Sequence, residues 1–117
     1  MRAKDQLGKA GEDLAVRHLV GAGFTIVERN WRCNEGELDV VAVDRDTLVV
    51  VEVKTRTSTD FGLPAEAVTW RKSAKLRELA ARWVREHACR MPVRIDVISI
   101  VMPRSGRTQL QHYRGVL

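Results

Sequence analysis

Three side chains close together in the sequence could do chemistry as a group: Asp39, Glu52 and Lys54. Glu52 and Lys54 follow the apolar run Leu48–Val51. Two apart on a strand, they project to the same face. A charge buried there is costly unless it is paired or binds a metal. Two readings fit this spacing: the strand leaves the core at Glu52 and the pair is a plain salt bridge, or the pair belongs to a site. Asp39 bears on the choice. A turn centred between Arg45 and Asp46 sets Asp39 opposite Glu52 and Glu37 opposite Lys54. A turn centred on Arg45 itself sends Asp39 to the other face, unless a bulge restores the match. No glycine marks the turn, so turn chemistry leaves the register open.

Two carboxylates about 5 Å apart repel by roughly 3 kcal/mol at an effective dielectric of about 20, and a cation between them removes that cost. Hard oxygen ligands suit Mg²⁺ or Mn²⁺. An ion held there could polarise a phosphoryl oxygen and acidify a bound water, with Lys54 beside it to orient the water. Glu12 is a second-tier candidate, at the border of the buried face of the first helix; on the residues alone it reads first as a favourable acid near a helix N-terminus. Arg56 continues the face of Glu52 and Lys54, and Arg71, Lys72 and Lys75 lie near the start of the second helix, where an anion is favoured. These four are candidate phosphate contacts, though any one alone reads as a solvated cation. Trp31, Trp70 and Trp83 are candidates for stacking on bases, with Trp83 also fitting a core position.

The elements that must position these residues follow from periodicity. A helix is expected from about residue 7 to 22, with Asp5 as N-cap and Gly23 ending it. Leu7, Gly11, Leu14, Ala15, His18 and Leu19 share its buried face. Gly8 and Gly11 each cost about 1 kcal/mol of helix propensity, which close approach to a sheet would explain. Strands are expected over 25–31, 37–43 and 47–55, the last central because Leu48–Val51 is apolar on both faces. Residues 57–67 read as a loop, 69–87 as a second helix with a Leu76, Leu79, Ala80, Trp83 stripe, 93–102 as a strand and 109–115 as an edge strand. The fold class is α/β, with helices packed on a mixed sheet.

A length of 117 residues suits one domain, residues 1–117. Hydrophobic residues make up 44% and charged residues 30%, which excludes a disordered chain. No apolar run approaches the roughly 20 residues of a membrane span, and the N-terminus has no signal-peptide pattern, so no membrane partner and a cytoplasmic location are expected. Cys33 and Cys89 read as reduced thiols, and His18, His87 and His112 match no zinc spacing. The charge is uneven: residues 1–60 carry a net −2 and residues 61–117 a net +7. That separation suits a polyanion held by a basic surface and presented to an acidic centre.

The motifs Gly8-x-x-Gly11-Glu12, Asn30-x-Arg32, Gly36-Glu37-Leu38-Asp39, Val51-Glu52-Val53-Lys54-Thr55-Arg56 and Arg94-x-Asp96-Val97 occur in that order. Together they resemble the YraN-like family of uncharacterised bacterial proteins, itself similar to Holliday-junction resolvases and other nucleases of the PD-(D/E)xK superfamily. The resemblance covers nearly the whole chain and implies a restriction-endonuclease-like αβββαβ core. It implies metal binding by Asp39, Glu52 and the Val53 carbonyl, a catalytic role for Lys54, and a first-helix acid at Glu12. Leu38 stands where the superfamily motif has proline, which leaves the aspartate in place. The implied reaction is Mg²⁺-dependent hydrolysis of phosphodiesters, with DNA as the expected partner and oligomeric state left open, a homodimer included. A nucleic-acid-binding module that keeps the fold without the chemistry is the alternative. A shared fold does not by itself fix activity.

Overall fold

The computed structural model describes residues 3–58 and 70–116, without the side chains of 3–5, 70 and 71. The chain runs α1 (Ala3–Gly21), β1 (Thr25–Cys33), β2 (Gly36–Asp44), β3 (Thr47–Arg56), α2 (Trp70–Glu86), β4 (Val93–Val101) and β5 (Gln109–Tyr113). The strands form one mixed sheet in the order β1-β2-β3-β4-β5. Only β3 and β4 pair in parallel; the other neighbours are antiparallel. This α/β arrangement, with β3 central and β5 at an edge, matches the order expected from periodicity and is compatible with a restriction-endonuclease-like core. Most of the expected 57–67 loop lies outside the described residues.

Each face of the sheet carries its own core. On one side Leu76, Leu79, Ala80 and Trp83 of α2 cover Leu38, Val41, Leu48 and Val50. On the other, Ala15 and Leu19 of α1 with Phe24 cover Val40, Val49, Val51 and Ile98. A central strand with an apolar run of four must bury alternate residues on opposite faces, and Leu48, Val49, Val50 and Val51 are all buried.

Helix ends follow local chemistry. The Gly23 N–H donates to Val20 and the Phe24 N–H to Leu19, with Gly23 at φ 95°, a Schellman ending. Phe24 and Leu19 then share the α1-side core, the apolar contact that accompanies this motif. Helix α2 ends the same way at Ala88, at φ 49°, where the Cys89 N–H donates to Val84. Asp5 does not cap α1: the helix is already formed at Ala3.

The two early glycines of α1 part company. A Cβ on Gly11 would lie 1.9 Å from Thr55 Oγ1, so α1 touches β3 there as expected. A Cβ on Gly8 would meet nothing within 4 Å, so close approach does not account for that residue.

Candidate functional site

The β2–β3 hairpin turns between Arg45 and Asp46, since Asp44 pairs with Thr47 and Val43 with Leu48. Arg45 itself takes the positive φ of 60° that a two-residue hairpin turn needs. This register continues to Val40↔Val51 and stops. Beyond that pair, among the described residues, the backbone ladder of β2 continues with β1 and that of β3 with β4. The sheet therefore forks, and Asp39 and Glu52 are the next residues on the two sides of the fork.

Asp39 fills the opening. Its Oδ2 accepts a hydrogen bond from the Val53 backbone N–H at 2.8 Å, a side chain taking the place of the lost ladder bond. The pleat slips here as well. Leu38 and Val41 both join the α2-side core while Val40 joins the α1-side core, an order that strict alternation forbids. Asn30, abreast of Asp39 between the pairs Arg29↔Val40 and Trp31↔Leu38, sits at φ 54°. Asn is among the few residues at ease there.

The cleft at the fork has a volume of about 340 Å³, and its walls include Glu12, Asn30, Glu37, Asp39, Val53 and Lys54. Glu12 reaches it from α1, one residue beyond the Gly11 contact. Its Oε1 accepts from Asn30 Nδ2 at 2.9 Å and from Arg29 Nε at 3.1 Å. Lys54 Nζ is 3.2 Å from Glu52 Oε1, and Lys72 Nζ reaches the same oxygen from the α2 side at 3.3 Å. The Lys54–Glu52 salt bridge is thus formed, and Lys54 also lines the cleft that holds Asp39. Glu37 does not pair with Lys54, as the hairpin register alone suggests; past the fork it turns to Arg32, at 3.0 Å.

Burial, and then the charge of Glu52, push the Asp39 carboxyl up to about 7, against the Val53 N–H, which favours the ionised form. Glu12 and Glu37 add to the rise. A carboxyl raised towards neutrality by burial and then by neighbouring acids is one that a nearby cation would ionise. Among the described residues no three His, Cys, Asp or Glu side chains form a ready-made metal cluster. Two carboxylates and the Val53 carbonyl nevertheless fit Mg²⁺ or Mn²⁺, since Mg²⁺ commonly takes only one or two carboxylates and keeps several waters.

The other candidates separate. Arg56 is half-buried next to the fork, and Lys75 is exposed on α2. The side chains of Arg71 and Trp70 lie outside the described residues. Trp31 and Trp83 are not available for stacking on bases: both are buried in the α2-side core, and Trp83 Nε1 donates to Glu28 at 2.9 Å. Arg82, on the same flank as Lys75, is occupied by Glu35 at 2.8 Å and Glu86 at 3.0 Å.

Two features escape a reading of spacing. Asn30 belongs to the Asn30-x-Arg32 motif, but its grip on Glu12 depends on a backbone conformation; an asparagine inside a strand-like run is the one available signal. The second is a network on the α1 side. Asp96, 0% exposed, accepts from Arg94 Nε and Nη2 at 2.9 and 3.0 Å, from His112 Nε2 at 2.7 Å and from the Gly115 N–H at 2.9 Å. Burial favours its protonated form, but Arg94, Gly115 and His112 more than offset that and hold the carboxyl below its usual range. His112 also meets His18 at 3.0 Å, so two histidines that the sequence keeps far apart are neighbours. Every oxygen of Asp96 is satisfied, so the network ties α1, β4 and β5 together behind the fork.

The fold and the fork define an α/β protein with a cluster of acids and a lysine at a break in its sheet. Comparison with known proteins narrows this. Residues 11–100 match the uncharacterised protein family UPF0102. A UPF0102 protein of Beutenbergia cavernae is 56% identical over 117 residues, covering 99% of both chains. One from Arthrobacter sp. (strain FB24) is 51% identical with the same coverage, and one from Frankia casuarinae is 53% identical over 116 residues, 98% of each chain. The chain belongs to the UPF0102 family, as the YraN-like motifs imply. No described helix is long and apolar enough to cross a membrane.

Proposed function

We propose that this protein is a divalent-cation-dependent endonuclease that hydrolyses phosphodiester bonds in DNA. The observation that carries the proposal is the fork: Asp39 bonded to the Val53 N–H at 2.8 Å, with Lys54 in the same cleft and 3.2 Å from Glu52. Asp39, Glu52 and the Val53 carbonyl are the residues to hold Mg²⁺ or Mn²⁺. The chemistry such an ion supplies is polarisation of a phosphoryl oxygen and a lower pKa for a bound water. Lys54 is placed to donate to that water or to an oxygen of the scissile phosphate, which offsets developing negative charge. Glu12, fixed by Asn30 and Arg29, presents a second acid to the same cleft.

The test is cleavage of junction, flap, single-stranded and duplex DNA by purified protein with Mg²⁺ or Mn²⁺. Activity lost in Asp39→Ala, Glu52→Ala and Lys54→Ala supports the reading; activity that survives all three belongs to something else.

One observation favours a second reading. Glu52 is held by two ammonium groups, Lys54 and Lys72, so a cation-free state is already balanced at that oxygen. That suits a nucleic-acid-binding module without catalysis. Salt-sensitive binding with no metal-dependent cleavage on any of these substrates would select it.

A further inference from the structure

We propose that the connection between β4 and β5, residues 102–108, is a phosphate-contacting arm beside the open end of the fork, with Arg104 and Arg107 as its contacts. The inference rests on the nucleic-acid reading above and not on catalysis.

The fork has two tines. One is the β1–β2 hairpin, whose tip lies between Cys33 and Gly36; the other is β3-β4-β5. Parallel pairing sets Glu52 level with Val97, Lys54 with Ser99 and Arg56 with Val101. The β4–β5 connection therefore leaves the sheet at the Arg56 end, on the side to which the fork opens. It is rooted there: the Met102 N–H donates to the Arg56 carbonyl at 2.7 Å. Pro103 at its start, and Gly106 at φ 105°, shape the turn that follows.

The two tips differ in charge. Around the β1–β2 tip the arginines are matched by acids, Arg32 by Glu37 at 3.0 Å and Arg82 by Glu35 at 2.8 Å. At the β4–β5 tip Arg104 and Arg107 are exposed, and among the described residues neither has a hydrogen-bond or ion-pair partner. Two unmatched guanidinium groups on a short, rooted turn suit a chain of phosphates, which they can grip in bidentate fashion. Reach is adequate. Arg104 lies seven residues beyond Val97 in sequence, so at about 3.3 Å per residue it is at most ~23 Å from the level of Glu52. That is no more than about seven steps of a stacked strand at ~3.4 Å each. A backbone held at the fork would pass the arm on its way out.

The experiment measures DNA affinity of the full chain against salt concentration, without divalent cations, using a duplex and a single strand of equal length. Arg104→Gln/Arg107→Gln is compared with a charge-matched pair at the closed end, Arg45→Gln/Arg90→Gln, whose side chains are also exposed. The arm predicts that the slope of log K against log salt shrinks by about 1.8 for duplex and ~1.4 for single strand in the first pair, and stays unchanged in the second. Equal changes in both pairs mean bulk charge alone and overturn the arm. So does an unchanged slope in the first pair. Failure of the unaltered protein to bind either DNA removes the nucleic-acid reading, and the arm with it.

Discussion

Asp39 Oδ2 takes the backbone N–H of Val53 at 2.8 Å, at the point where β2 stops bonding to β3. One carboxyl thus both closes a gap in the sheet and sits beside Glu52, Lys54 and Glu12. Burial and neighbouring acids push it up to about 7 from 3.8. A group whose folded pKa is raised contributes stability that is full below its unfolded pKa and is lost as pH rises through the folded pKa. Without divalent cations the protein should therefore lose stability between about pH 4 and pH 7. Asp39→Asn should lessen that loss, making the variant more stable at pH 8 by up to about 4 kcal/mol, at ~1.36 kcal/mol for each tenfold change in proton affinity. Urea unfolding at pH 4, 6 and 8 measures it; a variant less stable than the parent at pH 8 contradicts it.

The contrast between the two helix glycines gives a second prediction. Gly11→Ala drives a methyl into Thr55 and should cost about 1–3 kcal/mol by overpacking. Gly8→Ala meets open space and should stabilise by about 1 kcal/mol through propensity alone. Denaturant midpoints of the two variants should move in opposite directions.

Ala88 ends α2 at a positive φ that a side chain resists. Replacing it with glycine should raise stability by about 1 kcal/mol with no change in unfolding m-value. A fall in stability would mean that the Schellman ending is not under strain.

Asn30 should act through Glu12. Asn30→Gly keeps a backbone at ease at φ 54° and removes only the amide that donates to Glu12 Oε1. It should lower kcat/KM for cleavage about tenfold, the size of one hydrogen bond to a charged group, yet add little once Glu12→Gln is present. Additive losses in the double variant would separate the two residues.

Much of this arrangement is legible in the sequence, for reasons visible in particular residues. Leu48–Val51 declares a central strand, the Leu76, Leu79, Ala80, Trp83 stripe declares α2, and the Asp39, Glu52, Lys54 spacing names the candidate residues while leaving open whether they share a face. Its limits are equally physical. Hairpin register hung on Arg45 taking a positive φ, which no glycine announced. The fork is a break in hydrogen bonding, and strand periodicity carries no mark of where two strands part. His18 and His112 are 94 residues apart, and only the placement of β5 at the sheet edge beside β4 brings His112 to His18 of α1. Trp31 and Trp83 look alike as stacking platforms in sequence, whereas their burial against α2 and β1 is a property of the assembled core.

The proposed function depends on Asp39 and Glu52 holding a divalent cation at the fork. Mn²⁺ titration read by thermal unfolding tests it most directly, on the parent, Asp39→Asn and Glu52→Gln. At an ion concentration of about 100 times Kd, the parent should gain roughly 2.7 kcal/mol of stability, and both variants should gain little. Equal Mn²⁺ stabilisation in all three proteins, or none in the parent, would contradict it.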